Sequence, residues 1–410
     1  MDVAISQTTP VHLDMNDLSA TSEPSSAAPP PAPPARVMTP SPARLSGQHF
    51  EFTGSGSEYF KIWIVNVLLT ILTVGIYSAW AKVRRLRYFY NNTQFAGSSF
   101  DFHGSPVAIL KGRLIAVALV ALINVPYVGA VVLLIYFCGL PWLIYRSFRF
   151  HLANTSYRNV RFSFLGDAKG AYAAVLVPLG IVLVAGIVAG LFTFVSKILG
   201  GILLGIVLLA LYGIGPYLQC RVRRYFAEGA RAGLSRFGFN VGAGEYYAAY
   251  AVGLGFVIAL SIIATVIIAL TVGFSALSFT KASAGQLPAG AMITFAIVIG
   301  ALYLAMLAVG PLIVSMLHNT VWRGTTLSEQ RFESRLSVPS YMATWVGVTL
   351  LTVISFGLYR PFAVVKLAQM RIESVAWLGS ADDLIAVLRE GNQRAMGSEV
   401  ADLMDVDIGL

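Results

Sequence analysis

Ser99-Phe100-Asp101-Phe102-His103-Gly104 lies between two long apolar runs, and related stretches recur along the chain. Arg161-Phe162-Ser163-Phe164-Leu165-Gly166 and Arg236-Phe237-Gly238-Phe239 repeat its Phe-x-Phe pattern. The spacing is fixed, because a phenylalanine follows 21 positions after Ala79, Pro141, Pro216 and Pro311, at Phe100, Phe162, Phe237 and Phe332. A constant spacing indicates that one structural unit was copied.

The composition excludes a soluble globular protein. Of the 410 residues, 56% are apolar and 12% are charged, and the mean hydropathy is +0.71. The apolar runs reach about 18 residues or more, the length that crosses a hydrocarbon core. The net charge of +9 is concentrated in alternate loops, which indicates membrane orientation rather than nucleic-acid binding.

Six apolar runs form three pairs of predicted transmembrane helices. They are Val107–Tyr127, Val131–Tyr145, Ala171–Phe194, Ile198–Leu218, Tyr247–Val272 and Met292–Leu317. The loops that precede, separate and follow the pairs are basic, so the positive-inside rule places these loops in the cytoplasm. The same rule predicts cytoplasmic termini.

Two shorter apolar segments near the chain ends match each other, Ile62–Trp80 and Trp345–Phe362. Basic residues follow each one, so cytoplasmic flanks on both sides would require a re-entrant hairpin. Gly75 and Gly357 are the candidate helix breaks, since glycine permits the turn. The alternative is two ordinary spans, with both termini outside. The charge rule and the repeat favour the hairpins.

Pairs of arginines three residues apart lie on one helical face at the end of three spans. They are Arg84 and Arg87, Arg146 and Arg149, and Arg221 and Arg224. Cations at a helix C-terminus suit its dipole, and guanidinium groups bind phosphates. These six residues are candidate contacts for anionic lipid or substrate, although ordinary topology signals would look the same. The copy with Met316 and Asn319 lacks both arginines.

The Phe-x-Phe stretches alternate aromatic and polar residues and are bounded by glycine, which predicts short strands. The predicted fold class is therefore an all-α polytopic membrane protein with small β-hairpins on its cytoplasmic face. Its transmembrane domain covers residues 47–379. It follows a disordered, Pro/Ser/Ala-rich tail at 1–46 and precedes an acidic tail at 380–410.

Several functions are disfavoured. No long run carries a charge at its middle, as ion-coupled carriers usually do. Asn66 is the main strongly polar residue inside an apolar run. No catalytic constellation, metal-ligand spacing or cofactor motif occurs, so we expect no enzyme, no metal and no cofactor.

Phe50-Glu51-Phe52-Thr53-Gly54 and the stretch from Leu72 to Arg85, with Thr73-Val74-Gly75-Ile76-Tyr77 inside it, resemble the YjgN-like family of bacterial inner-membrane proteins. The chain's last ten residues are similar to that family's ending, and the resemblance covers about residues 48–410. It implies a multi-pass protein of the bacterial inner membrane. It implies no activity, because the family is uncharacterised.

Two function classes remain open from the sequence. The first is a transporter, channel or lipid-handling protein without ion coupling. The second is an envelope scaffold or partner-binding protein with no transport activity. The expected partner is the lipid bilayer, with its anionic headgroups, and not nucleic acid. The sequence does not indicate an oligomeric state.

Overall fold

The structure is a computed structural model that describes residues 47–278 and 289–379. The tails expected at 1–46 and 380–410 lie outside these residues. The described helices are α1 (Gly56–Leu72), α2 (Ser78–Asn91), α3 (Pro106–Ile123), α4 (Val128–Ala153), α5 (Ala168–Val195), α6 (Lys197–Gly229), α7 (Ala243–Ser278), α8 (Ala289–Leu307), α9 (Val309–Arg323), α10 (Val338–Ile354) and α11 (Arg360–Glu373). The described strands are β1 (Gln48–Phe52), β2 (Thr93–Phe95), β3 (Ser98–Phe102), β4 (Thr155–Tyr157), β5 (Val160–Phe164), β6 (Ala230–Ala232), β7 (Ser235–Phe239), β8 (Thr325–Leu327), β9 (Gln330–Ser334) and β10 (Val375–Trp377).

The chain consists of five copies of one unit. Each unit is a five-residue strand, a helical hairpin and a three-residue strand, and its two strands flank the hairpin. Unit 1 runs from β1 to β2, unit 2 from β3 to β4, unit 3 from β5 to β6, unit 4 from β7 to β8 and unit 5 from β9 to β10. Neighbouring units contact one another through α2 and α3, α4 and α5, α6 and α7, α9 and α10, and finally α11 and α1. The five hairpins therefore form a closed ring.

All ten strands pair into one closed antiparallel barrel. Two-residue turns join successive units, and left-handed backbone at Ala96-Gly97 (φ 45 and 73) and Arg158-Asn159 (φ 48 and 63) suits such tight hairpins. The last strand returns to the first, with His49 opposite Ala376. Closure leaves no strand edge unpaired, and an unpaired edge would invite association with other chains.

The prediction of an all-α protein with small β-hairpins on its cytoplasmic face was wrong. The strands were expected, but they join into a single barrel that is a second structural layer beneath the helices. The physical reason is the range of the pairing. Alternation of apolar and polar residues reports a strand locally, whereas β1 pairs with β10 across most of the chain.

The first phenylalanine of each Phe-x-Phe pattern points into the barrel. Phe50, Phe100, Phe162, Phe237 and Phe332 line one apolar cavity of about 190 Å³ there. The ring centroids of four neighbouring pairs lie 6.3–6.4 Å apart, a spacing typical of interacting aromatic rings. A small cavity with such walls stays dry.

The second phenylalanine anchors the helices to the barrel. Phe52, Phe102, Phe164 and Phe239 are buried at the ends of their strands. Unit 5 has Ser334 at this place, fully buried, and its hydroxyl donates to the side-chain oxygen of Asn319 at 2.8 Å. Unit 5 therefore has a polar contact at the place where the other four units have an apolar one.

Six helical stretches are long and apolar enough to cross a membrane, in units 2, 3 and 4. They coincide with the six predicted runs and extend beyond them toward the barrel. Units 1 and 5 differ, because α2 and α11 have only 14 residues each. At 1.5 Å per residue these helices rise about 21 Å, against about 50 Å for the 33 residues of α6.

The turn at the tip of each short hairpin has the same geometry in both units. Gly75 has φ 89 and Gly357 has φ 90, and the preceding Val74 and Phe356 both have φ 50. The Gly75 amide donates to the Thr70 carbonyl at 2.8 Å, and the Gly357 amide donates to the Thr352 carbonyl at 2.7 Å. These bonds end α1 and α10 in the manner of a Schellman motif.

Replacing Gly75 or Gly357 with valine should lower the free energy of unfolding by about 1–3 kcal/mol, because a β-branched residue resists positive φ. No atom lies within 4 Å of a Cβ added at either glycine, so the cost is conformational rather than steric. Gly190→Ala is the control, since Gly190 lies within α5 and an added Cβ also meets nothing. Melting curves in detergent measure the effect. Losses no larger at the two turns than at Gly190 would contradict the turn geometry.

Candidate functional site

A cavity of about 520 Å³ lies between the two short hairpins and α3. Helix α1 supplies its long wall through Tyr59, Trp63 and Asn66, and α11 closes the opposite side. The cavity therefore lies at the junction of units 5, 1 and 2, where the ring of hairpins is shortest.

Four cationic side chains line this cavity, and three helices supply them. Lys82 and Arg85 are three residues apart on α2, Arg113 lies on α3, and Arg360 is the first residue of α11. Among the described residues that line the cavity, none is acidic. A concave surface of one charge sign concentrates a positive potential, so the chemistry that fits it is that of an anion.

The four cations have few partners in the protein. Arg113 donates a hydrogen bond to the Ser78 hydroxyl, and Arg85 lies over the Phe89 ring at 5.9 Å. Within residues 47–278 and 289–379, neither Lys82 nor Arg360 has a side-chain hydrogen bond or an ion pair. Burial lowers the pKa of the Lys82 ammonium, and the charge of Arg113 lowers it further. The site thus holds charge that the described protein groups do not neutralise.

Asn66 adds a polar group to the apolar wall. Only 6% of the residue is exposed, and its carboxamide oxygen has no hydrogen-bond partner in the described part of the chain. A buried polar atom without a partner costs about 1–3 kcal/mol. Because polar residues inside membrane segments are usually functional, Asn66 supports the assignment of this cavity as the site.

Apolar residues project from the hairpin tips directly above the cavity. Val74 is 92% exposed and Phe356 is 97% exposed, and their neighbours Leu72, Ile76, Ile354 and Leu358 are also exposed. On α6 the arginines at 221–224 lie about 8–12 Å from the barrel end of the helix. The tips of the short hairpins, at about 21 Å, rise about 10 Å beyond the level of these arginines.

The six arginines singled out in the sequence are all exposed, and they lie on three different hairpins rather than in one place. Four of them contact aromatic residues of their own unit: Arg84 with Tyr77, Arg146 with Trp142, Arg149 with Tyr145 and Arg221 with Tyr217. Arg87 donates to the Phe102 carbonyl at 3.1 Å and Arg224 to the Val241 carbonyl at 2.8 Å, so these two also join neighbouring units.

The cavity residues were not assembled by sequence reasoning. The basic residues that follow the first short apolar segment, among them Lys82 and Arg85, served only as a topology signal, and Arg113 and Arg360 carry no motif. The signal that could have found the site is Asn66, a lone amide in an apolar helix. Its position alone does not reveal that α3 and α11 contribute cations beside it.

The match to known families covers most of the chain. Residues 47–403 match the family described as bacterial protein of unknown function (DUF898). Inner membrane protein YjgN of Salmonella typhimurium is 29% identical over 203 residues, 46% of this chain and 51% of that protein. Inner membrane protein YjgN of Escherichia coli K12 is 35% identical over 127 residues, 30% of this chain and 32% of that protein.

The chain spans about half the length, or less, of the curated relatives it matches. No solved structure matches this chain. The family match includes all five units, the relatives are inner membrane proteins, and six helices of this chain are long and apolar enough to cross a membrane. This chain, an integral membrane protein, therefore belongs to the DUF898 family of bacterial proteins.

Proposed function

We propose that this protein handles anionic lipid, which it binds in the cavity between its two short hairpins. The observation that carries the proposal is the set of four cationic side chains, with no acidic residue among the described lining. A cation near an anionic lipid surface contributes about 1 kcal/mol. The proposed activity needs no ion coupling, no cofactor and no enzymatic step.

The position of the cavity favours a lipid over a soluble anion. In this proposal the basic residues mark the membrane surface, so that the cations lie near it and the exposed apolar tips of the same hairpins extend into the hydrocarbon. A ligand that satisfies both regions has an anionic headgroup and apolar chains. In units 1 and 5 the helices end part-way through one leaflet, so a lipid reaches the cavity sideways from that leaflet.

The barrel argues against an aqueous channel along the ring axis. The phenylalanine ring of the five units makes the inside of the barrel apolar, and Trp377 and Tyr157 add further aromatic surface to the small cavity there. Ion pathways need polar groups to replace the hydration shell. Movement along the membrane surface or between leaflets is therefore the transport mode that this architecture favours.

The six outer arginines have a separate role in this proposal. Arg84, Arg146, Arg149 and Arg221 surround the ring where the headgroups of annular lipids lie, beside aromatic residues that suit this zone. Arg87 and Arg224 donate hydrogen bonds to backbone carbonyls of the next unit. We expect these two to contribute more to the joining of units than to lipid contact.

Replacing Arg85 and Arg360 together with glutamine should weaken binding of phosphatidylglycerol by about 30-fold, since two cations contribute about 2 kcal/mol. Native mass spectrometry of the purified full-length protein, titrated with phosphatidylglycerol and with phosphatidylcholine, measures the ratio. Arg161→Gln is the matched control, because Arg161 is exposed on β5, outside the cavity lining. An equal effect of the double variant and the control would exclude the cavity as the site.

The barrel is proposed to lie on the cytoplasmic side, because the basic residues flank it. A cysteine in place of exposed Ser57 should then resist a membrane-impermeant maleimide in intact cells and react after lysis. A cysteine in place of Lys197, at the opposite end of unit 3, should react in intact cells. The reverse pattern would invert the proposed orientation.

A further inference from the structure

The four cations of the cavity fall into two pairs at different depths. Arg85 and Arg360 are exposed at the mouth, whereas Lys82 and Arg113 are half-buried. Tyr59 lines the same cavity as the mouth pair. Burial raises the pKa of the Tyr59 phenol, and the positive charges of Arg85 and Arg360 lower it. Arg85 and Arg360 line the same cavity although they belong to units 1 and 5.

The inner pair is held by a side-chain contact near the first hairpin turn. Arg113 donates to the Ser78 hydroxyl, and the Ser78 hydroxyl donates to the Gly75 carbonyl at 2.5 Å. Lys82 follows Ser78 by one helical turn, so its ammonium lies on the same side of α2. Burial lowers the pKa of the Lys82 ammonium, and the positive charge of Arg113 lowers it further.

Four positive charges in one cavity repel one another, and the half-buried Lys82 and Arg113 are screened less by water than the exposed Arg85 and Arg360. A headgroup with a single phosphodiester carries one negative charge and leaves three of the four positive charges uncompensated. We infer that the headgroup carries two phosphate groups, one for the mouth pair and one for the inner pair. This inference rests on the proposed function and specifies its ligand.

The size of the cavity agrees with such a headgroup. Its volume of about 520 Å³ corresponds to about 17 water molecules at their liquid volume. This is room for two phosphate groups, a short linker and several bridging waters. Asn66, on the α1 wall, offers an amide to the same volume, and no described neighbour holds its carboxamide oxygen in place.

Two kinds of lipid supply two phosphates on a compact headgroup. In cardiolipin a glycerol joins two phosphodiesters, and in a polyprenyl pyrophosphate the two phosphates are bonded directly. Both have apolar chains that would lie against the exposed hairpin tips. The shared chemistry is the doubly anionic headgroup, and the distance between its phosphates separates the two sources.

The test compares lipids of different headgroup charge on the full-length, detergent-purified protein. Cardiolipin or a polyprenyl pyrophosphate should bind at least about tenfold more tightly than phosphatidylglycerol at the same ionic strength. Cardiolipin also has more acyl chains than phosphatidylglycerol, and these could strengthen its binding. A competition experiment with anions that have no acyl chains removes that difference. Inorganic pyrophosphate should displace bound phosphatidylglycerol at a lower concentration than inorganic phosphate does.

The inner pair provides the variant. Arg113→Gln should abolish the preference for two phosphates and retain most phosphatidylglycerol binding, while Arg113→Lys should restore the preference. Arg161→Gln should leave it unchanged. Equal affinity for singly and doubly charged lipids in the unaltered protein would overturn this inference and leave the proposed function standing. Binding of every anionic lipid no tighter than phosphatidylcholine would overturn both.

Discussion

The packing of five phenylalanine side chains inside a ten-stranded barrel is the constraint on which the rest of the structure depends. Each phenylalanine belongs to a different unit, so the ring forms only when all five units are present and the last strand meets the first. Each long strand ends beneath its own helical hairpin, and the second aromatic of the Phe-x-Phe pattern fixes the hairpin there. The barrel thereby places five hairpins in a ring without requiring long interfaces between the membrane-embedded parts of the helices.

Local patterns predicted the elements, and distant pairing was beyond them. The length of the apolar runs predicts the six long spans, and the alternation of apolar and polar residues predicts the short strands. Gly75 and Gly357 lie where the positive-inside rule favours a turn back toward the cytoplasm. The count of units does not follow as easily. Pro361 occupies the place of Pro141, Pro216 and Pro311 in a fifth copy. The repeat is harder to recognise in units 1 and 5, because their helices are shorter. Barrel closure pairs residues that are nearly as far apart in sequence as the described chain allows, such as His49 and Ala376. A local sequence pattern cannot predict such a pairing.

The candidate site illustrates the same limit. Charges at the ends of spans are explained by membrane topology, so Arg84 and Arg85 look equivalent in the sequence. Only the helix ring separates them, because Arg84 contacts Tyr77 and Arg85 faces a cavity that α3 and α11 complete. The site exists because two of the five hairpins are short. A repeat with five equal hairpins would have no shortened side, and the proposed lateral entry of a lipid depends on that side.

The most direct test of this account is a cross-link across the closing strand pair. In a variant with Cys138 and Cys220 replaced by alanine, cysteines at His49 and Ala376 should form a disulfide on oxidation, because paired residues of antiparallel strands lie within reach. Cysteines at Glu51 and Gln94, which pair inside unit 1, are the positive control. Mass spectrometry of the digested protein identifies both linkages. The account predicts that both pairs cross-link; a disulfide in the control pair alone would show that the barrel, and with it the ring of hairpins, is open.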